Sequence, residues 1–256
     1  NWEELVGAIK FDNVTFKYDK GETVLKDFKL DVKAGESIAL VGHTGAGKST
    51  IVNLICRFYE PSSGQILIDG KDYKERSLGW LHDNLGYVLQ SPHLFSGTIM
   101  DNIKYGNHEA TEEEVIKVSK LVEAHDFIVK FEEGYNTEVG ESGARLSVGQ
   151  KQLISFARAL LADPKILILD EATSSVDTQT EKSIQRAINI VLKGRTSFVI
   201  AHRLSTITSS DRILVLEDGK ILEQGNHKDL LKQEGKYYKL YTNQFKSKII
   251  EESKNG

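Results

Sequence analysis

The stretch Gly42-His43-Thr44-Gly45-Ala46-Gly47-Lys48-Ser49-Thr50 decides the fold. It fits G-x-x-x-x-G-K-[ST], the pattern of a phosphate-binding loop. Ser37-Ile38-Ala39-Leu40-Val41 before it is a short apolar run, which predicts a buried strand. Thr50 to Cys56 after it predicts a helix with Ile51, Leu54 and Ile55 on one face. Strand, glycine-rich turn and helix in that order are the context the pattern requires. Gly42, Gly45 and Gly47 let the backbone turn tightly and bring N–H groups toward an anion. The helix start adds partial positive charge at the same place. Lys48 then reaches β- and γ-phosphates, and the Ser49 hydroxyl ligates Mg2+.

Working outward toward the N-terminus, Ile9, Phe11, Val14, Phe16 and Tyr18 alternate along a strand that slips near Asp12-Asn13. Leu25, Phe28, Leu30 and Val32 alternate again, which predicts an antiparallel pair leading into the loop strand. Tyr18 is either an ordinary strand aromatic or a platform for a nucleobase; the pattern alone leaves both open. Toward the C-terminus, Gln65–Gly70 reads as a strand closed by an Asp-Gly turn, and Gly86–Gln90 as a short strand with a polar tip. From Thr98 the character changes to helices over Thr98–Ile103, Thr111–Leu121 and Ala124–Phe131. Ser147 stands as N-cap before a strong helix carrying Leu153, Ile154, Ala157 and Leu160 on one face, a second helix start suited to an anion.

Ile166-Leu167-Ile168-Leu169-Asp170-Glu171 reads as a buried parallel strand delivering two carboxylates at its C-terminal end. Such a pair can also be a solvated strand terminus. Thr178–Leu192 is a helix and Thr196–Ile200 a strand followed directly by His202, a residue type that in this setting is more often structural. Arg212–Leu216 and Lys220–Glu223 form a hairpin, and Asn226–Lys232 and Lys236–Phe245 are closing helices. Strands alternating with helices predict an α/β fold. The organisation is one domain over residues 1–245: a core of 1–90 and 161–245, a helical insertion of 91–160, and a polar tail of 246–256.

The chain is 256 residues long, 39% hydrophobic and 27% charged, with a net charge of −4, so nothing marks it as a nucleic-acid binder. Its one cysteine, Cys56, excludes an internal disulfide and falls on an apolar helix, as a small buried residue does. No apolar run approaches the roughly 18 residues of a membrane span. The start at Asn1-Trp2 lacks an initiator Met, as an excerpt of something longer does.

Together these residues resemble the nucleotide-binding domain of an ABC transporter, from about Ile9 to Phe245. Tyr18 matches the A-loop, Gly42–Thr50 the Walker A motif, and Gln90 the Q-loop. Leu146-Ser147-Val148-Gly149-Gln150 matches the signature, Ile166–Glu171 the Walker B motif, Ser174–Asp177 the D-loop, and His202 the switch histidine. The signature carries Val148 where the family commonly has Gly. Thr137–Gly143 looks like the X-loop of exporters, and Ser91–Ile99 and Leu222–His227 look exporter-like as well.

The resemblance implies a P-loop NTPase core with an antiparallel β subdomain and an inserted α-helical subdomain, binding ATP and Mg2+. It implies that Tyr18 stacks on adenine, and that Gly42, Thr44, Gly45, Ala46, Gly47, Lys48, Ser49 and Thr50 hold the phosphates. Ser49, Asp170 and Gln90 would serve Mg2+, Glu171 would be the base for the attacking water, and His202 would meet the γ-phosphate. Ser147, Gly149, Gln150 and Asp177 would face nucleotide in a head-to-tail dimer with a second such domain. The implied partner is a transmembrane domain fused N-terminally, which would account for the non-Met start. The implied place is the cytoplasmic face of a membrane, the inner membrane in a bacterium. A soluble ABC ATPase acting on nucleic acid usually carries tandem cassettes or a coiled coil between Walker A and signature. A P-loop metabolic kinase would carry the signature only by accident.

Overall fold

The computed structural model describes residues 3–19, 21–171 and 176–243. In chain order the strands are β1 (Ile9–Lys17), β2 (Thr23–Val32), β3 (Ser37–Val41), β4 (Ser63–Ile68), β5 (Lys71–Asp72), β6 (Leu85–Val88), β7 (Ile166–Asp170), β8 (Thr196–Ile200), β9 (Arg212–Glu217) and β10 (Lys220–Gly225). The helices are α1 (Lys48–Ile55), α2 (Leu78–Asp83), α3 (Ile99–Lys104), α4 (Glu112–Leu121), α5 (His125–Ile128), α6 (Val148–Ala162), α7 (Thr178–Leu192), α8 (Leu204–Ser209) and α9 (His227–Lys232). Residues 236–243 are helical too. The chain forms two compact units, one of residues 1–6 and 77–197, the other of residues 7–76 and 198–256.

The second unit holds two sheets. One has the order β2-β1-β4-β5 and is antiparallel throughout. Its inward residues Ile9, Phe11, Leu30 and Val32 are buried, and Phe11 meets Phe28 edge-on at 5.5 Å. The register slips between Phe11 and Val14, where Asn13 takes a φ of 52°, so the Asp12-Asn13 irregularity is a bulge. Asp69 and Gly70, both at positive φ, turn β4 into β5, and Asp69 Oδ1 accepts from the N–H groups of Gly7 (2.9 Å) and Ala8 (2.8 Å). The other sheet of this unit runs β10-β9-β3-β8, with β3 parallel to β9 and β10 antiparallel to it. Ile38, Ala39 and Leu40 are fully buried, as a parallel strand covered on both faces must be.

In the first unit β6 and β7 pair in parallel, from Leu85 against Ile166 to Val88 against Leu169. Ile166, Leu167 and Ile168 are fully buried; each such side chain contributes about 1.5–3 kcal/mol by leaving water. Strand β6 ends at Val88, so Leu89 and Gln90 lie beyond it and are exposed, where the sequence pattern carries the strand to Gln90. Three helix starts here are closed by reciprocal Ser/Thr boxes: Thr98 with Asp101, Thr111 with Glu114, and Ser147 with Gln150. Helix α5 stops at Ile128 rather than Phe131, because Lys130 N and Phe131 N bond back three residues and tighten the chain into turns. Helix α2, introduced by a Ser77 cap, and the short α8 have no counterpart in the sequence reading.

Candidate nucleotide site

In the second unit, β3 ends at Val41 and the loop begins at once. A β-carbon on Gly42 would collide with the Leu216 carbonyl of neighbouring β9, so only glycine lets the chain leave the strand there. Gly47 caps α1 at a φ of 103°, with no side chain closing the helix start. Ser77, Thr98, Thr111, Ser147, Asp177 and Asn226 each cap their helices with a side-chain oxygen. The first turn of an α-helix offers N–H groups that have no partner inside the helix. Among the described residues no side-chain oxygen caps α1, and the same holds for α5 and α8; at α1 it is the glycine loop and the Lys48 ammonium that stand by the open turn, which suits a ligand that brings oxygens.

Lys48 Nζ donates to the carbonyls of Gly42 (2.7 Å) and His43 (2.9 Å), so its ammonium lies over the loop. Ala46 O accepts from Gly219 N at 3.1 Å, and His43 Nε2 lies 4.0 Å from Asp218 Oδ1. The β9–β10 turn thus braces the loop from one side. Thr44, Gly45 and Ser49 are exposed, while Ala46, Gly47 and Thr50 are buried. The Tyr18 hydroxyl lies 3.1 Å from Thr50 Oγ1, in the first turn of α1. Its ring stands edge-on to Phe16 (4.8 Å) and Tyr59 (5.0 Å). Ala201 N donates to Leu40 O at 3.4 Å, so the exposed His202 follows β8 at the same strand ends from which the loop departs. Tyr18, Gly42–Thr50 and His202 are therefore gathered in one unit.

In the first unit, Asp170 is half-buried at the end of β7 and Glu171, next in the chain, is fully buried. Gln90 leaves β6 at the same edge, because β6 and β7 are parallel and Val88 pairs with Leu169. Ser147 N donates to Gln150 Oε1 (2.9 Å) and Gln150 N donates to Ser147 Oγ (3.2 Å). As an acceptor in that box, Ser147 Oγ keeps its own O–H proton for another partner. Val148 is exposed and Gly149 buried. Asp177 caps α7, accepting from Thr180 N (2.9 Å) and Thr180 Oγ1 (2.5 Å); these bonds, the hydroxyl's first, hold its carboxyl below the usual range. Of the D-loop match, Ser174 lies outside the described residues, as does Ser175.

Three contributors were not read from sequence. Tyr59 reaches Tyr18 only through the fold. The Asp218-Gly219 turn touches the loop across a long stretch of chain. Thr180 carried a legible signal, since a Thr three residues after an Asp cap is placed to bond it.

Among the described residues no cluster of three or more His, Cys, Asp or Glu could hold a metal ion. Mg2+ does not call for one, since it takes hard oxygens, keeps waters and shares phosphate oxygens. The Ser49 hydroxyl and the Asp170 carboxylate are donors of that kind. No described helix is long and apolar enough to cross a membrane.

The chain is 52% identical over 239 residues, 93% of its length, to the uncharacterized ABC transporter ATP-binding protein YfiC of Bacillus subtilis. It is 51% identical over 239 residues to the probable multidrug resistance ABC transporter ATP-binding/permease protein YheH of the same organism. The match spans 40% of the first protein and 36% of the second. The structure of a bacterial Atm1-family ABC exporter with ATP bound superposes with a TM-score of 0.86 at 46% identity, covering 93% of this chain and 42% of that one. A profile for the ABC transporter family matches residues 25–174, which include the loop at Gly42–Thr50, the start of α6 and the acidic end of β7. On that match and those relatives, the chain belongs to the ABC transporter family.

Proposed function

We propose that the chain is the ATP-binding and ATP-hydrolysing motor domain of an ABC exporter. The observation that carries this reading is the start of α1, left without a side-chain cap under a glycine loop and a lysine ammonium. Phosphoryl transfer to water needs positioning and charge neutralisation rather than covalent chemistry. Lys48 and the loop N–H groups of Gly42–Thr50 bind the phosphates, and Tyr18 stacks on the base. Ser49 and Asp170 each carry an oxygen suited to Mg2+ and Gln90 an amide that would sense it; when bound, the ion would supply neutralisation of phosphate charge. Glu171, fully buried just beyond the end of β7, takes a proton from the attacking water. His202 meets the terminal phosphate.

The second half of each site comes from another such domain, head to tail. Ser147, with its O–H proton to spare, joins Gly149, Gln150 and Asp177 in facing the partner's nucleotide. ATP binding closes the pair and hydrolysis releases it. The helical subdomain of residues 91–160 and the core of 1–90 and 161–245 act as parts of one domain. A transmembrane domain N-terminal to this chain receives the motion, which places the chain at the cytoplasmic face of a membrane. The matches to ATP-binding/permease proteins and to an ATP-bound exporter support this arrangement.

The test is phosphate release from Mg-ATP by the purified chain and by Glu171→Gln. The amide keeps the shape but accepts no proton, so turnover is expected to vanish while ATP binding stays. Substantial turnover by the variant would remove Glu171 from the role of base.

A further inference from the structure

Gly149 is the second residue of α6 and is buried. A β-carbon placed on it would overlap the Thr180 Cγ2 methyl, closer than real side chains approach, and would lie 3.6 Å from Val176 Cγ1. Both atoms belong to the segment that opens α7. The Thr180 methyl cannot easily swing aside, because β-branched side chains in helices have few χ1 choices. One thing fixes that choice here: the other branch of the same side chain, the hydroxyl, donates to Asp177 Oδ2 at 2.5 Å. Thr180 N donates to the second oxygen, Oδ1, at 2.9 Å. The carboxylate of Asp177 therefore sets the rotamer that presses the methyl into the place where Gly149 has no side chain. At the other end of the contact, the Ser147–Gln150 box fixes the first turn of α6.

We infer that Thr180 is a positioning residue of the signature. Its methyl fills the notch at Gly149 and its hydroxyl holds Asp177, so the first turn of α6 and the Asp177 segment are held as one piece. On this account Gly149 is glycine because Thr180 occupies the volume, whatever else approaches from outside. Thr180 acts through Gly149 and Asp177, both of which it meets. The inference rests on the reading of Ser147–Gln150 as the nucleotide-facing signature, and it adds the reason that this turn keeps its place relative to Asp177.

The test is a compensating pair of substitutions in the purified chain, read by Mg-ATP turnover, by equilibrium ATP binding and by thermal unfolding. Gly149→Ala is expected to lower kcat by roughly tenfold or more and to lower Tm, with ATP affinity little changed. In Gly149→Ala with Thr180→Ser, the methyl is gone and the hydroxyl remains, so most of the lost turnover and Tm should return. Thr180→Val keeps the shape but not the donor; it should retain ATP affinity and lose turnover. A double variant as impaired as Gly149→Ala would overturn the notch, as would a Gly149→Ala protein matching wild type in both kcat and Tm. Full turnover by Thr180→Val would overturn the link to Asp177. If Gly149→Ala does not fold, recovery of a cooperative melt in the double variant decides the matter. The melting arm stands without ATPase activity: an inactive wild-type chain would sink the motor reading and leave the Gly149–Thr180 interlock to be judged on Tm.

Discussion

The hydroxyl of Tyr18 lies 3.1 Å from the hydroxyl of Thr50, which ties the aromatic at the end of β1 to the first turn of the phosphate-loop helix. On the proposed reading, this one bond inside one unit links the base platform to the phosphate cradle. Removing the ring by Tyr18→Ala is expected to weaken ATP and GTP alike by about 1–3 kcal/mol, since a stacking face reads a ring and not its edge. Tyr18→Phe keeps the face and loses only the Thr50 bond, so it should lose less than Tyr18→Ala. Equilibrium titration with both nucleotides checks this; unchanged affinity in Tyr18→Ala would return the residue to a packing role.

A site shared head to tail makes a prediction about mixing. Lys48→Ala and Ser147→Arg homodimers should each be inactive, because every site lacks one half. In the mixed dimer one site gathers both defects and the other none. Random pairing then restores roughly a quarter of wild-type sites. ATP-driven dimerisation, followed by sedimentation, should be measured alongside, since the chain without nucleotide is expected to be mostly monomeric. Recovery of neither turnover nor dimer would count against the shared site.

Stability should fall on the acid side in part through the cap of α3. Asp101 accepts from Thr98 N (2.9 Å) and Thr98 Oγ1 (2.7 Å), the backbone bond being the larger cause holding its carboxyl below the usual 3.8. The folded state therefore binds this proton less readily than the unfolded state. The stabilisation is complete above the unfolded value and is lost as pH falls through the folded one. Asp101→Ala should cost about 0.3–1.5 kcal/mol at neutral pH, and the gap to wild type should narrow as pH falls below the usual carboxylate range. Urea midpoints of the two proteins across this range give the answer; a gap independent of pH would show that the charge is not what matters.

Cys56 follows α1 and is fully buried, with burial pushing its thiol up to about 12. At pH 8 a thiol reagent should label the native protein on the order of a hundredfold more slowly than the urea-unfolded chain. Mg-ATP should slow labelling further, because ligand binding at the α1 start suppresses the opening that exposes the thiol. Rapid labelling of the folded protein would contradict the burial.

What sequence made legible was local. The loop strand, the loop and α1 declare themselves through adjacent residues, as do the apolar run that ends in Asp170-Glu171 and the Ser147 cap. The end of β6 did not: the ladder stops with Val88 opposite Leu169 although β7 runs on to Asp170, and the residue types of Leu89 and Gln90 do not announce it. Helix α2 was passed over although Ser77 announces it; six residues carry too little periodicity to outweigh the surrounding polar chain. Neither the edge-on Tyr59 beside Tyr18 nor the methyl of Thr180 over Gly149 leaves a trace in spacing. Both are contacts between side chains that only the packed chain brings together.

The two-residue turn at Asp218-Gly219, with φ of 47° and 70°, has a bearing on how reporters can be built into this protein. A hairpin tip is ordinarily the place to splice in a fluorophore tag or an epitope. Here the tip lends its Gly219 N–H to Ala46 of the phosphate loop, and a β-carbon on Gly219 would run into the Val24 carbonyl. A graft there would be a graft into the nucleotide cradle, and its signal would report its own damage. Gly79, exposed in α2 with nothing within 4 Å of the position a β-carbon would take and no positive φ to forbid one, is the better port for a label.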